Sequence, residues 1–205
     1  MKRFKKALFL ATIGLVLTCS QTAQAALYRA DQVHSTIGFT VKHLMVSEVK
    51  GEFTDYQTLI NFDSNDLKSS NVDVTIQVSS INTRNEKRDK HLKTSEFFDA
   101  DNHPTITFKS TDITKTDNGY TISGDLTIRG VTKAISIPCA INGPVKNPMG
   151  EGEDVIGING KATINRQDFG VSWNKEMDQG GYVVGNDVTI DVELEAHVQK
   201  EIKEE

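Results

Sequence analysis

Val188-Thr189-Ile190-Asp191-Val192-Glu193-Leu194-Glu195-Ala196-His197-Val198 decides how this chain folds. Every second residue is apolar, and those between are Thr, Asp, Glu, Glu and His. A pleated strand points successive side chains to opposite faces, so this period puts one face in an interior and the other in water. Val72, Val74, Ile76 and Val78 repeat the pattern, as do Ile37, Phe39 and Val41 against Thr36, Gly38, Thr40 and Lys42. Together they describe an antiparallel sheet wrapped around an apolar interior. That interior is either a solid core or a container, and function turns on which.

Working outward, strands are predicted over 35–43, 49–53, 58–62, 71–79, 105–110, 112–116, 120–123, 124–128, 134–141, 155–165 and 187–198. Gly51 reads as a bulge or bend within its strand. Residues 63–70 are a polar loop, and 143–154, rich in Gly, Pro and acid, reads as a long one. Asp117-Asn118-Gly119 is a hairpin turn, because Asn and Gly accept positive φ. Arg129-Gly130-Val131-Thr132-Lys133 reads as another turn. One segment breaks the period. Residues 84–93 are dense in charge, and Leu92, Phe97 and Phe98 are spaced for a helical face, so a helical insertion is predicted there. Thr94 or Ser95 caps a second short turn. Eight or more strands with one helical excursion favour a closed antiparallel barrel over a sandwich, since closure removes exposed edges. The period by itself admits both.

The ends read differently. Lys2, Arg3, Lys5 and Lys6 precede an apolar run over 7–17, and Ala23-Gln24-Ala25 offers a small-residue cleavage site. Residues 1–25 are therefore predicted to be a secretory signal peptide, cut after Ala25, and the apolar run is short for a membrane anchor, which needs about 20 residues. Cys19 raises lipidation as an alternative, but Thr18 is a poor residue before a lipidated cysteine. Residues 26–199 suit one domain, and 200–205 form a charged tail. Losing the four basic residues of the leader takes the formal net charge from −5 to −9. Such a chain repels a nucleic acid backbone, and no Lys/Arg cluster with interleaved aromatics offsets that. Cys139 is left as a lone thiol in phase with the isoleucines of 135–141, which points to a buried, inert side chain.

Chemistry-bearing constellations are few. His34, His43, His91, His103 and His197 lack the short spacings of local metal motifs, so no metal is assigned. A metal-dependent enzyme using His34, His43 and His91 stays as a rival. There is no Gly-x-Ser-x-Gly elbow, and Glu151, Glu153 and Asp154 lie in a solvated loop, so no catalytic residue is assigned. The segment from Asn82 to Leu92 is either a solvated helix with charge pairs or a gate at a barrel mouth. In the second reading Arg84, Arg88 and His91 face the polar head of a ligand. Trp173 and Ile76 are placed on the interior by periodicity.

Several blocks resemble a known family: His34-Ser35-Thr36-Ile37-Gly38-Phe39-Thr40-Val41-Lys42-His43-Leu44, Gly51-Glu52-Phe53, Arg88-Asp89-Lys90-His91-Leu92 through Phe97-Phe98-Asp99, His103-Pro104, Thr107-Phe108, Gly124-Asp125-Leu126-Thr127-Ile128-Arg129-Gly130-Val131-Thr132-Lys133 and Asp168-Phe169-Gly170. In this order they resemble the YceI-like periplasmic polyisoprenoid-binding proteins. The resemblance implies an all-β fold, a closed antiparallel eight-stranded lipocalin-like barrel with a short helical insertion. It implies a long-chain isoprenoid lipid, a polyprenol or an isoprenoid quinone, in an elongated apolar pore, and no shared enzymatic activity or cofactor. Phe39, Val41, Phe53, Phe108, Leu126, Ile128 and Phe169 would line that pore. The implied partners are the lipid, a transient contact with a membrane or respiratory membrane protein, and a second copy in a homodimer. A stress-related interaction module with a solidly packed barrel is the remaining rival.

Overall fold

A computed structural model describes residues 26–150, 152–178 and 180–199. The signal-peptide reading of 1–25 and the tail 200–205 lie outside the described residues. The strands are β1 (Ala26–Ala30), β2 (Thr36–His43), β3 (Ser47–Phe53), β4 (Tyr56–Phe62), β5 (Asn71–Gln77) and β6 (Ile81–Asn82). After helix α1 (Glu86–Lys93) come β7 (Thr105–Thr116), β8 (Gly119–Ile128), β9 (Val131–Lys146), β10 (Asp154–Asn165) and β11 (Val184–Val198).

Eleven segments make eight wall positions, because β1 and β2 lie end to end against β11, and β3/β4 and β5/β6 continue one another likewise. Each position is antiparallel to the next, and β1 and β2 on β11 close the ring. The predicted barrel is therefore the observed fold, and the alternation in 188–198 is its closing strand. Two-residue turns join neighbours where the sequence permits: Arg129 and Gly130 both take positive φ, as a tight hairpin requires.

The details differ in places: β1 and β6 were not predicted, and 120–123 and 124–128 are one strand, β8. Residues 105–110 and 112–116 are one strand, β7, with a register shift between Ser110 and Asp112. The predicted loop 143–154 begins later, because Lys146 and Val145 pair with Asp154 and Val155 and carry β9 onward. The residues 131–133, predicted as turn, already belong to β9. Gly51 is not a bulge: it stays in register opposite Phe39, whose ring fills the place a Cβ would take. The glycine makes room for an aromatic ring on the inner face.

The two ends of the barrel are unlike. Strand ends at Ala26, Phe62, Thr116, Lys146 and Val198 mark one, which is filled by Tyr28, Ile60, Phe62, Ile113, Ile156 and Ala196. Ile60 and Ala196 are fully buried, and the Phe62 and Tyr120 rings meet edge to face with centroids 5.7 Å apart. The other end carries α1, the Arg129-Gly130 turn and the connection from β10 to β11.

Candidate functional site

Between that packed floor and the α1 end lies a cavity of about 190 Å³. Its walls are apolar side chains from nearly every strand, and Arg166 is the one charged residue among those lining it. The alternation read in the sequence places them: Phe39 and Val41 from β2, Phe53 from β3, Ile76 from β5, Phe108 from β7, Leu126 and Ile128 from β8. Phe169 comes from the short 3-10 turn after β10, and Leu92, Phe97 and Phe98 close over the space from α1 and the turn that follows. Phe39, Phe53 and Phe98 form a chain of rings, with centroids 5.8 and 6.1 Å apart. Cys139 also faces the cavity, and burial pushes its thiol up to about 11.

A second cavity of about 430 Å³ adjoins the first at the α1 end. Phe39, Val41, Leu92, Phe97 and Val184 line both, so the two abut. The rim of the outer one carries Lys42, His43, Lys87, Arg88 and His91, with no carboxylate among its lining residues. Lys42 is paired with Glu48 at 2.8 Å just outside that lining, so Lys87 and Arg88 are the cations left to favour a polar group that accepts hydrogen bonds.

The mouth is held by hydrogen bonds to backbone carbonyls. Arg129 donates to the carbonyls of Phe97 (2.9 Å), Gly170 (2.9 Å) and Ser95 (2.8 Å). Arg166 is 6% exposed and donates to the carbonyls of Gly185 (2.9 Å), Val171 (2.6 Å) and Trp173 (3.0 Å). Burial pulls the Arg166 guanidinium below its ordinary value, and no carboxylate among the described residues offsets it. Carbonyl dipoles satisfy its donors, but the positive charge remains at the cavity wall.

Of the predicted lining residues, all but Trp173 face the inner cavity. Trp173 lies in the outer one, with its ring centroid 5.2 Å from Phe97 and 5.3 Å from His91. Arg84 is exposed, at φ 59°, and lines neither cavity. Arg88 reaches the mouth, but its guanidinium is drawn back to the Thr83 hydroxyl (2.7 Å) and carbonyl (2.8 Å). Asp89 accepts from the same threonine, so Arg88 holds the start of α1 as well as facing the opening. His91 lies at the rim with Glu96 2.6 Å away. Arg166 was missed, because a lone arginine just past a strand carries no local sign of burial.

His34, His43 and His91 are not brought together. His34 sits between β1 and β2 with Asp31 at 2.6 Å and Glu195 at 3.9 Å, whereas His43 and His91 are at the mouth. Asp31, His34 and Glu195 are the one group among the described residues close enough to share an ion, and His34 is exposed.

Comparison with known proteins agrees with this architecture. The chain is 39% identical over 170 residues to a UPF0312 protein of Staphylococcus aureus strain MSSA476, covering 83% of this chain and 96% of that one. The crystal structure of a Campylobacter jejuni YCEI protein matches with 34% identity and a TM-score of 0.65, over 83% of this chain and 96% of that one. A Saccharophagus degradans structure described as a polyisoprenoid binding domain shares the fold, with 13% identity and a TM-score of 0.60 over 85% of this chain and 99% of that one. With the YceI-like domain profile matching residues 28–196, this chain belongs to the YceI-like family.

Proposed function

We propose that this protein binds an amphiphile with a long isoprenoid tail, holding the tail in the barrel and the polar head at the α1 mouth. One observation carries the reading: an apolar cavity that opens into a cation-rimmed vestibule. A hydrocarbon tail gains about 0.8 kcal/mol for each CH2 taken out of water, so a tail is held here with little polar help. Lys87, with Lys42, Arg88 and His91 beside it, suits a head with acceptor oxygens, as a polyprenol, a quinone or a phosphorylated prenol provides. The description of the Saccharophagus degradans domain, which has the same fold, supports an isoprenoid tail. The role is sequestration or carriage rather than catalysis, since the cavity wall offers no nucleophile–base pair and the Cys139 thiol is pushed up to about 11. Export to the periplasm through residues 1–25 completes the proposal and rests on their sequence alone.

Mass spectrometry of a solvent extract of natively purified protein is the test. A long prenyl lipid at near one per chain is expected, and its mass identifies polyprenol or quinone. An empty barrel that also refuses added prenols and quinones would overturn the reading.

A further inference from the structure

The barrel wall has an unpaired seam. The β9–β10 ladder runs from Asp154↔Lys146 to Gly160↔Cys139 and ends there, although β10 continues to Asn165 and β9 begins at Val131. Each strand keeps its other neighbour throughout: β9 stays on β8 back to Val131, and β10 stays on β11 to Asn165. The cause lies in the sequence. The two-residue turn makes Ile128↔Val131 a hydrogen-bonded pair, so alternate residues from Val131 through Cys139 turn their N–H groups to β8. Pro138 falls in the other set, facing β10, and has no N–H to donate. It stands one residue beyond the last pair.

Half-buried apolar residues line both banks of the seam. Ile122, Leu126 and Ile128 face inward and are buried. Ile137 and Ile135 share that face by register with Ile122 and Gly124, yet both are only half-buried. Ala162 and Ile164 on the opposite bank are half-buried too. Outside them stand Ala134, Ser136 and Pro138, small and exposed, so the unpaired backbone groups of this edge meet water. Ile135, Ile137, Gly160 and Ile164 all line the inner cavity, which therefore reaches the seam from within.

Accepting the proposed lipid-binding function, we infer that this seam is a side port through which a tail longer than the cavity leaves the barrel. The floor of Tyr28, Ile60, Phe62, Ile156 and Ala196 bars the axial route. The mouth is tied by the carbonyl bonds of Arg129 and Arg166, whereas widening the seam breaks no ladder bond, since none is made there. Isoprenoid ligands far longer than the cavity are thus admitted, and the port sets the accepted class: one head at the mouth, with a tail of unrestricted length.

The test closes the port reversibly. Ser136→Cys and Thr163→Cys stand opposite one another if the ladder register is extended across the seam, and both are exposed. A short bis-methanethiosulfonate joins them, reductant frees them, and a thiol count shows buried Cys139 untouched. Thr127→Cys with Thr132→Cys, a paired position on the outer face, is the control. Menaquinone-2 and menaquinone-8 are supplied from detergent micelles, and binding is read by quenching of Trp173, the sole tryptophan. The linked seam is expected to lower menaquinone-8 affinity at least tenfold and leave menaquinone-2 unchanged, with reductant restoring the loss and the control pair showing none. Unchanged menaquinone-8 affinity on linking the seam would overturn the port and leave lipid binding standing. Loss of both equally, with the control intact, would also overturn it, as a general effect on the cavity. Failure of both quinones and of an added polyprenol to bind the unlinked protein would overturn the function and the port together.

Discussion

The floor and the cavity are built from the same alternating strands and the same residue types, yet they differ in what meets across the barrel axis. At the floor, Ile60 and Ile156 are 0% and 1% exposed and touch packed neighbours. Toward α1, Ile190 and Val192 point the same way from β11 and border empty space. A floor side chain contributes dispersion contacts on all sides, whereas a cavity side chain lacks them on one. One half of the barrel holds the fold together, and the other leaves room.

Truncation should separate the halves most strongly. Ile60→Ala leaves a new void among packed groups and is expected to cost about 2–5 kcal/mol, but Ile190→Ala, beside an existing space, about 1 kcal/mol. Denaturant unfolding checks both, and equal losses would mean that the cavity is filled. Enlargement should show the reverse asymmetry. Ala196→Leu overpacks the floor at about 1–3 kcal/mol, while Ile128→Trp fills the cavity at under about 1 kcal/mol and blocks lipid uptake. Uptake that survives Ile128→Trp would place the tail elsewhere.

The effect confined to the narrowest range of conditions is a pH dependence. Cys139 in the fold is pushed up from 9.0 to about 11 by burial. Its contribution is full below pH 9 and is lost as pH rises toward 11, because the unfolded chain gives up the thiol proton first. Unfolding free energy should therefore fall more steeply over that window in the natural protein than in Cys139→Ala. Parallel curves would mean that the thiol is not desolvated. Alkylation of the folded protein at pH 8 should be slow, and slower still with lipid bound.

Much of the site was legible because strand period alone sorts side chains by face. Phe39, Val41, Phe53, Ile76, Phe108, Leu126 and Ile128 line the cavity as that period and the matched blocks implied. Trp173 strayed because it lies in the irregular stretch between Phe169 and β11, where no period applies. Arg84 and Arg88 were read as facing a ligand head from a helical gate at the mouth. The helix begins only at Glu86, with Asn85 as its cap accepting from the Arg88 N–H, and Thr83 draws the Arg88 head inward. Residues 143–146 read as loop because Gly and Pro are turn formers, but pairing with β10 overrode that preference. Pro138 carried a sign that periodicity passes over: a proline inside a strand marks an edge.

Sequence by itself determined most strands, their inward faces and the helical insertion, because alternation is local and each strand carries its own; the closed ring came from the family resemblance. Only the tertiary structure decided which inward residues meet and which border a space, and where the wall is left unpaired. Those depend on the distance across the barrel, set by the tilt and stagger of eight strands together, and no single segment encodes it.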